Sequence, residues 1–127
     1  MNPPMIYTVK DVCSLAGVSR KTLFYYDRIG LLSPSERKGK QRSRLYTDAE
    51  IHTLERIRYY QKAGLRLSEI SHLLNEPDQD HSDIFQTVID RLSDEMKKAE
   101  ETIRLCEKAR EEYEHASGKM PGLRNHD

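Results

Sequence analysis

The feature that most restricts the fold of this sequence is the run 81–116, which contains neither proline nor glycine. Apolar residues recur in this run with alternating steps of four and three positions and a final step of seven. These residues are Phe85, Ile89, Leu92, Met96, Ala99, Ile103, Cys106 and Tyr113. Heptad spacing of this kind predicts one long helix, roughly 50 Å in length, with a narrow apolar stripe along it. The remaining chain is too short to cover the stripe, so the spacing predicts a homodimer with these residues at its interface.

The formal net charge of the 127-residue chain is zero, but the charges are unevenly distributed. Residues 1–76 hold 13 Lys and Arg against 8 Asp and Glu, a net charge of +5, whereas residues 77–127 hold 8 against 13, a net charge of −5. Within residues 20–44 the count is 8 against 2. A concentrated basic segment attracts a polyanion such as nucleic acid, and an acidic half repels one. We therefore predict a nucleic-acid-binding domain over 1–76, a coiled-coil helix over 77–116 and a flexible tail over 117–127.

Two short helices with a tight turn between them are predicted near the N-terminus. Thr8 followed by Asp11 forms a capping pair, and apolar residues then recur at helical spacing as far as Ala16. Ser19 caps a second helix that ends at about Arg28. Two helices of this length around a turn are typical of a helix-turn-helix motif.

The basic segment that follows, 35–46, has short extended stretches on either side of a loop that contains Gly39. This pattern is typical of a β-wing, although a flexible solvated loop has the same composition. Thr47 and Glu50 then form a capping box for a third helix, and a fourth helix is predicted over 67–74. The first 76 residues are thus predicted to form a winged helix-turn-helix with a second helical pair.

Several functional classes lack the residues that they require. Cys13 and Cys106 lie 93 positions apart and the five histidines are scattered without metal-ligand spacing, so we expect no metal and no cofactor. No glycine-rich phosphate loop, Cys–His pair or carboxylate dyad is present, so we do not expect an enzyme. No apolar run approaches the roughly 20 residues of a membrane span, and the first residues do not resemble a signal peptide. We therefore expect a cytoplasmic protein without membrane association.

The first half of the sequence contains four distinctive motifs. They are Val18-Ser19-Arg20-Lys21-Thr22-Leu23-Phe24-Tyr25-Tyr26-Asp27, Gly30-Leu31-Leu32 with Pro34, Arg44 with Tyr46, and Gly64-Leu65 with Leu67 and Glu69-Ile70. Together these motifs resemble those of the MerR family of bacterial transcriptional regulators. The resemblance implies a mainly helical fold, in which a winged helix-turn-helix DNA-binding domain precedes one long C-terminal helix that dimerises as an antiparallel coiled coil. It also implies a homodimer that binds and distorts double-stranded DNA at a pseudo-palindromic promoter operator, so that RNA polymerase can engage the promoter. Whether a small-molecule effector acts on the protein stays open.

Three positions depart from the family pattern. Phe24 stands where an arginine is usual, Ser43 where an aromatic residue is usual, and Arg66 where a serine or threonine caps the fourth helix. Cys106, on the apolar stripe, is expected to be a buried structural thiol, and the alternative is a redox or electrophile sensor. The alternative function is a winged-helix DNA-architectural or interaction accessory of excisionase type, which does not regulate a promoter. The long heptad helix favours the promoter-binding dimer.

The candidate DNA contacts fall into two groups. The first three residues of the second helix, Arg20, Lys21 and Thr22, hold the place from which a recognition helix contacts base edges. Contacts with the phosphate backbone are expected from Tyr25, Tyr26, Arg28, Arg37, Lys38, Lys40, Arg42, Arg44 and Gln61. One of the two adjacent phenols is expected to reach a phosphate while the other packs inward, and the resemblance implies that both approach the backbone. Tyr46 either hydrogen-bonds a phosphate or anchors the wing.

Overall fold

The structure, a computed structural model, describes residues 5–119. The chain divides into two compact units, of which the first ends at His81 and the second begins at Ser82. The sequence predicts this boundary slightly earlier, after residue 76, where a proline follows the fourth helix. In chain order, the first unit consists of β1 (Tyr7–Thr8), α1 (Val9–Ala16), α2 (Arg20–Arg28), β2 (Glu36–Lys38), β3 (Ser43–Tyr46), α3 (Asp48–Lys62) and α4 (Leu67–Asn75).

Side-chain hydrogen bonds fix where α1 and α2 begin. Thr8 Oγ1 accepts from the backbone N–H of Asp11 at 3.2 Å, and the Asp11 carboxylate accepts from the backbone N–H of Thr8 at 3.0 Å. At α2, Ser19 Oγ accepts from the backbone N–H of Thr22 at 3.0 Å. Gly17 ends α1 in the left-handed conformation (φ 66°), which glycine adopts without steric cost. The predicted helix-turn-helix is therefore confirmed, and both helices begin at the predicted caps.

The wing is a β-hairpin within a small antiparallel sheet, in which the strand order is β1-β3-β2. Arg37 of β2 lies directly opposite Arg44 of β3 in the strand register. Residues 39–42 connect the two strands, and the backbone N–H of Arg42 donates to the carbonyl of Gly39 at 3.2 Å. The basic segment thus has the hairpin geometry of a wing, which the sequence leaves open against an irregular loop.

The core of the first unit joins α2, α3, α4 and β3. Leu23 of α2, Leu54 and Ile57 of α3, Ile70 of α4 and Tyr46 of β3 have no exposed surface. Burial of each aliphatic side chain of this kind contributes roughly 1.5–3 kcal/mol to stability. Because Leu23 fixes the inner face of α2 in the core, the residues on the opposite face of α2 are held toward solvent.

Each of the helices α3 and α4 is capped at its first turn by a carboxylate side chain. The Glu50 carboxylate accepts from the backbone N–H of Thr47 at 2.8 Å. The sequence predicts a poorly capped α4, because the guanidinium of Arg66 has no acceptor for a backbone N–H. The structure supplies the other half of the capping pair, since the Glu69 carboxylate accepts from the backbone N–H of Arg66 at 2.7 Å.

The second unit contains one long helix, α5 (Ser82–Lys119). The helix extends three residues beyond the predicted end at 116, because the first proline after it is Pro121. The start of the predicted tail 117–127 is therefore helical, and residues 120–127 lie outside the described residues. All eight residues of the apolar stripe are exposed in the single chain, with Met96 at 59% and Ile103 at 58%. Within the described chain, no helix is both long enough and apolar enough to cross a membrane.

Candidate nucleic-acid interface

The first turn of α2 presents two exposed cations. Arg20 and Lys21 follow the Ser19 cap directly, and both side chains are exposed to solvent. Thr22 is half-buried, and its Oγ1 accepts a hydrogen bond from Ser19 Oγ at 3.0 Å. Of the three predicted base-contacting residues, two are therefore open to a ligand and the third is partly engaged by the helix cap.

The adjacent tyrosines of α2 point to different environments. Tyr25 is 40% exposed, and the guanidinium carbon of Arg28 lies 5.3 Å from its ring centroid. Tyr26 is 3% exposed, and its hydroxyl donates to Gln61 Oε1 of α3 at 3.0 Å. Tyr26 therefore fits the alternative in which one of the two phenols packs inward, because its ring is buried and its hydroxyl is bonded to Gln61. The same bond gives Gln61, predicted as a backbone contact, a structural role between α2 and α3.

Replacing Tyr26 with phenylalanine is expected to lower the free energy of unfolding by about 0.5–1.5 kcal/mol, because the hydrogen bond to Gln61 is lost while the ring stays packed. Tyr25→Phe is the matched control, since it removes an exposed hydroxyl from the next residue. This control is expected to change stability by less than about 0.5 kcal/mol. Urea denaturation of both variants measures the difference, and equal losses would show that the Tyr26–Gln61 bond does not stabilise the unit.

Asp27 of α2 joins the recognition helix to both strands of the wing. Its side chain is only 6% exposed, and its two carboxylate oxygens accept from different arginines. The Arg37 guanidinium lies 2.6 Å from Oδ1, and Arg44 Nε lies 2.7 Å from Oδ2. The hydrogen bond from Arg37, together with the one from Arg44, holds the pKa of Asp27 below its ordinary value even though burial opposes this. Arg37 and Arg44, which the sequence predicts as phosphate contacts, thus form an ion-paired cluster with Asp27.

Tyr46 ends β3 inside the core of the first unit. It has no exposed surface, and burial raises the pKa of its phenol to about 12. The sequence leaves two roles open for this residue, a phosphate hydrogen bond and an anchor for the wing. Because its hydroxyl is enclosed, Tyr46 does not reach a phosphate in this structure, and the anchor role fits its position.

The exposed cations of the wing lie at and beside the hairpin turn. The side chains of Lys38, Lys40 and Arg42 are all exposed. Arg42 has a φ of 56°, the left-handed region that non-glycine residues rarely adopt and that often marks functional positions. Arg42 also lines a cleft of about 350 Å³ together with Arg20 of α2 and Lys10 of α1. Lys10 lies in the first turn of α1, two positions after the Thr8 cap, and is not among the contacts predicted from the sequence.

The described residues contain no candidate metal-binding site. No group of three or more histidine, cysteine, aspartate or glutamate side chains that could hold a metal ion occurs among residues 5–119. Cys13 is half-buried and Cys106 is exposed in the single chain, and both are free thiols. The basic surface formed by α2, the wing and Lys10 is the candidate nucleic-acid interface.

Residues 7–77 match the model of a protein family described as MerR HTH family regulatory protein. The matched region is more than half of the chain and contains every element of the first unit. The chain belongs to the MerR family. The resemblance noted in the sequence is thereby confirmed, as is the predicted fold class.

Among MerR-family relatives, the HTH-type transcriptional activator mta of Bacillus subtilis is 35% identical over 104 residues. The match covers 82% of this chain and 40% of mta, so the chain spans well under half of that relative's length. The crystal structure of MtaN, the N-terminus of this B. subtilis multidrug transporter activator, matches with a TM-score of 0.71 and 34% identity. That match covers 81% of this chain and 96% of MtaN.

Two further solved structures share the fold at lower identity. HiNmlR, a MerR family regulator lacking the sensor domain and bound to promoter DNA, has a TM-score of 0.57 and 22% identity, covering 90% of this chain and 94% of HiNmlR. The EcmrR–DNA complex in EcmrR-RPo has a TM-score of 0.75 and 20% identity, covering 91% of this chain and 41% of EcmrR. At these identities the similarity shows the fold alone.

Phe24 is the clearest departure of this chain from the MerR family pattern, and the structure gives it a physical role. The guanidinium carbon of Arg44 lies 4.2 Å from the centroid of the Phe24 ring. A cation over an aromatic face at this distance contributes about 0.5–1 kcal/mol when it is partly exposed. In this MerR-family member, the position where the resemblance implies an arginine instead places an aromatic ring beneath a cation of the wing.

Proposed function

We propose that this protein is a sequence-specific DNA-binding transcriptional regulator that acts on promoter DNA as a homodimer. The observation that carries the proposal is the exposed pair Arg20 and Lys21 at the N-terminal turn of α2, flanked by the exposed cations of the wing. A recognition helix enters the major groove with these positions nearest the base edges. Because Leu23 fixes the other face of α2 in the core, the two cations are presented on a rigid element.

The proposed contacts divide by the part of DNA that they meet. Arg20 and Lys21 donate to base edges, guanine O6 and N7 being their preferred acceptors. Phosphate contacts are proposed for Lys10, Tyr25, Arg28, Lys38, Lys40 and Arg42, whose side chains are exposed. Such contacts supply affinity that depends on salt and fix the register of the protein, but they carry no direct sequence information.

The proposed dimer forms through the apolar stripe of α5. The stripe repeats in heptads and is exposed along its whole length in the single chain, so a second α5 can cover it. An antiparallel pair of identical helices has twofold symmetry, and a twofold protein binds a pseudo-palindromic operator. We propose that the dimer distorts this operator and thereby sets how RNA polymerase engages the promoter.

Two proteins of the same fold support the promoter as the target, since HiNmlR is bound to promoter DNA and EcmrR forms a DNA complex in EcmrR-RPo. The relatives found are transcriptional regulators rather than enzymes, which supports a non-enzymatic role. Because the proposed ligand is genomic DNA, the proposal includes a cytoplasmic location. The identity of an effector is not part of it.

Selection of genomic DNA fragments by the purified protein tests the proposal. We expect repeated recovery of a small number of fragments that lie upstream of genes and contain an inverted repeat. Adding the protein to RNA polymerase on such a fragment is expected to change the amount of transcript. The double variant Arg20→Ala/Lys21→Ala is the control and is expected to lose the enrichment. Binding to all fragments with equal affinity would instead indicate an architectural accessory.

A further inference from the structure

Asp27 is an unusual group to find in a surface that is proposed to meet phosphates. Residues 20–44 contain eight cations and two carboxylates, Asp27 and Glu36. Glu36 is exposed, whereas the Asp27 side chain is nearly buried between Arg37 and Arg44. The Asp27 carboxylate thus pairs with two of the eight cations, one on β2 and one on β3.

We propose that Asp27 is a specificity-determining residue, which holds Arg37 and Arg44 against the recognition helix and so limits binding to DNA of arbitrary sequence. The inference rests on the proposed function and deepens it. Non-specific binding arises almost entirely from cations that neutralise phosphates. An arginine held at a carboxylate contributes less to this attraction than one whose long side chain can follow any phosphate.

The strand register makes the carboxylate necessary for this arrangement. Arg37 and Arg44 lie directly opposite each other across β2 and β3. Like charges in directly opposite positions destabilise a strand pair. Asp27 places a negative charge between the two arginines and offsets their repulsion. The strands β2 and β3 therefore keep their register, and both guanidinium groups lie against α2.

The two arginines are held unequally, which gives the proposal a specific consequence. Arg44 has a second support, because its guanidinium also lies 4.2 Å from the centroid of the Phe24 ring. Among residues 5–119, no aromatic ring lies beneath the Arg37 guanidinium, which is held by its bond to Asp27 Oδ1. Removal of the Asp27 charge is therefore expected to release Arg37 more than Arg44.

Binding of the full-length variant Asp27→Asn to a short random-sequence duplex, measured by fluorescence anisotropy at several KCl concentrations, tests this proposal. We expect the slope of log K against log salt concentration to become steeper by about 1 for each protomer that contacts the duplex, because each released Arg37 neutralises one more phosphate. Affinity for the random duplex is expected to rise about threefold to tenfold at low salt, whereas preference for a selected operator fragment over that duplex falls. Glu36→Gln removes the same charge from an exposed position and is expected to change the slope much less.

The double variant Asp27→Asn/Arg37→Ala separates release of the arginine from loss of structure. This double variant is expected to return the salt slope toward the wild-type value without restoring the free energy of unfolding. A slope for Asp27→Asn that equals that of Glu36→Gln would overturn the proposal and leave Asp27 a purely structural residue. If Asp27→Asn does not fold, the variant Arg37→Ala tests the proposal instead. An Arg37 that is held by Asp27 contributes little to the salt slope, so Arg37→Ala must lower this slope by less than half as much as Lys40→Ala does. Failure of the proposed function is a different result, in which the wild-type protein does not prefer any fragment to the random duplex.

Discussion

Replacing Leu92 with aspartate is expected to convert the protein from a dimer into a monomer and to weaken operator binding by at least about 100-fold. Leu92 lies on the heptad stripe of α5 and is 43% exposed in the single chain. In a dimer this position becomes dry, and an unpaired carboxylate there costs several kcal/mol. A monomer binds only one half-site, so it loses the gain in affinity that comes from linking two binding events.

Leu105→Asp is the matched control for this prediction. Leu105 belongs to the same helix and is 67% exposed, but it lies outside the four-three pattern of the stripe. This variant is expected to remain dimeric, with a mass by light scattering of about twice the 14.8 kDa of one chain. A wild-type mass near 14.8 kDa at micromolar concentration, or the same behaviour for both variants, would mean that the stripe does not hold a dimer together.

Replacing Arg20 or Lys21 with alanine is expected to change which operator variants the protein prefers. Loss of a contact with a base edge costs about 1–3 kcal/mol at the base pair concerned and little at the others. Lys40→Ala is the counterpart, because this exposed cation of the hairpin turn is placed to meet a phosphate. It is expected to weaken binding to all sequences similarly and to lower the salt slope by about 1 for each protomer that contacts the operator.

Affinities for a set of single-base operator variants, each at several salt concentrations, distinguish these two behaviours. Arg20→Ala and Lys21→Ala should reorder the set, and Lys40→Ala should preserve the order. If Lys40→Ala reorders the variants while the salt slope stays unchanged, the division of α2 and the wing into base and phosphate contacts is incorrect.

The parts of the fold that local sequence determines were predictable. Thr8 with Asp11 and Ser19 with Thr22 are hydrogen-bonding partners three positions apart, and the structure contains these bonds. The long helix follows from spacing along a single segment without proline. A capping bond or a heptad repeat needs no knowledge of distant residues, so residue types at fixed intervals suffice.

The parts of the site that depend on distant residues were not predictable. The partner of the Tyr26 hydroxyl is Gln61, which is 35 positions from Tyr26. The arginine cluster depends on Asp27, which bonds across 10 and 17 positions to the two strands of the wing. A count of charges treats all basic residues of the wing alike, and only the fold separates the exposed cations from the ion-paired ones.

Hydroxyl-radical footprinting of the wild-type protein on a selected promoter fragment tests the central claim most directly. The claim is that two recognition helices of one dimer occupy a pseudo-palindrome together. It predicts two protected clusters related by a twofold axis, which appear at the same protein concentration and are separated by about one helical turn or a multiple of it. A single protected half-site, or two that fill at different concentrations, would contradict it.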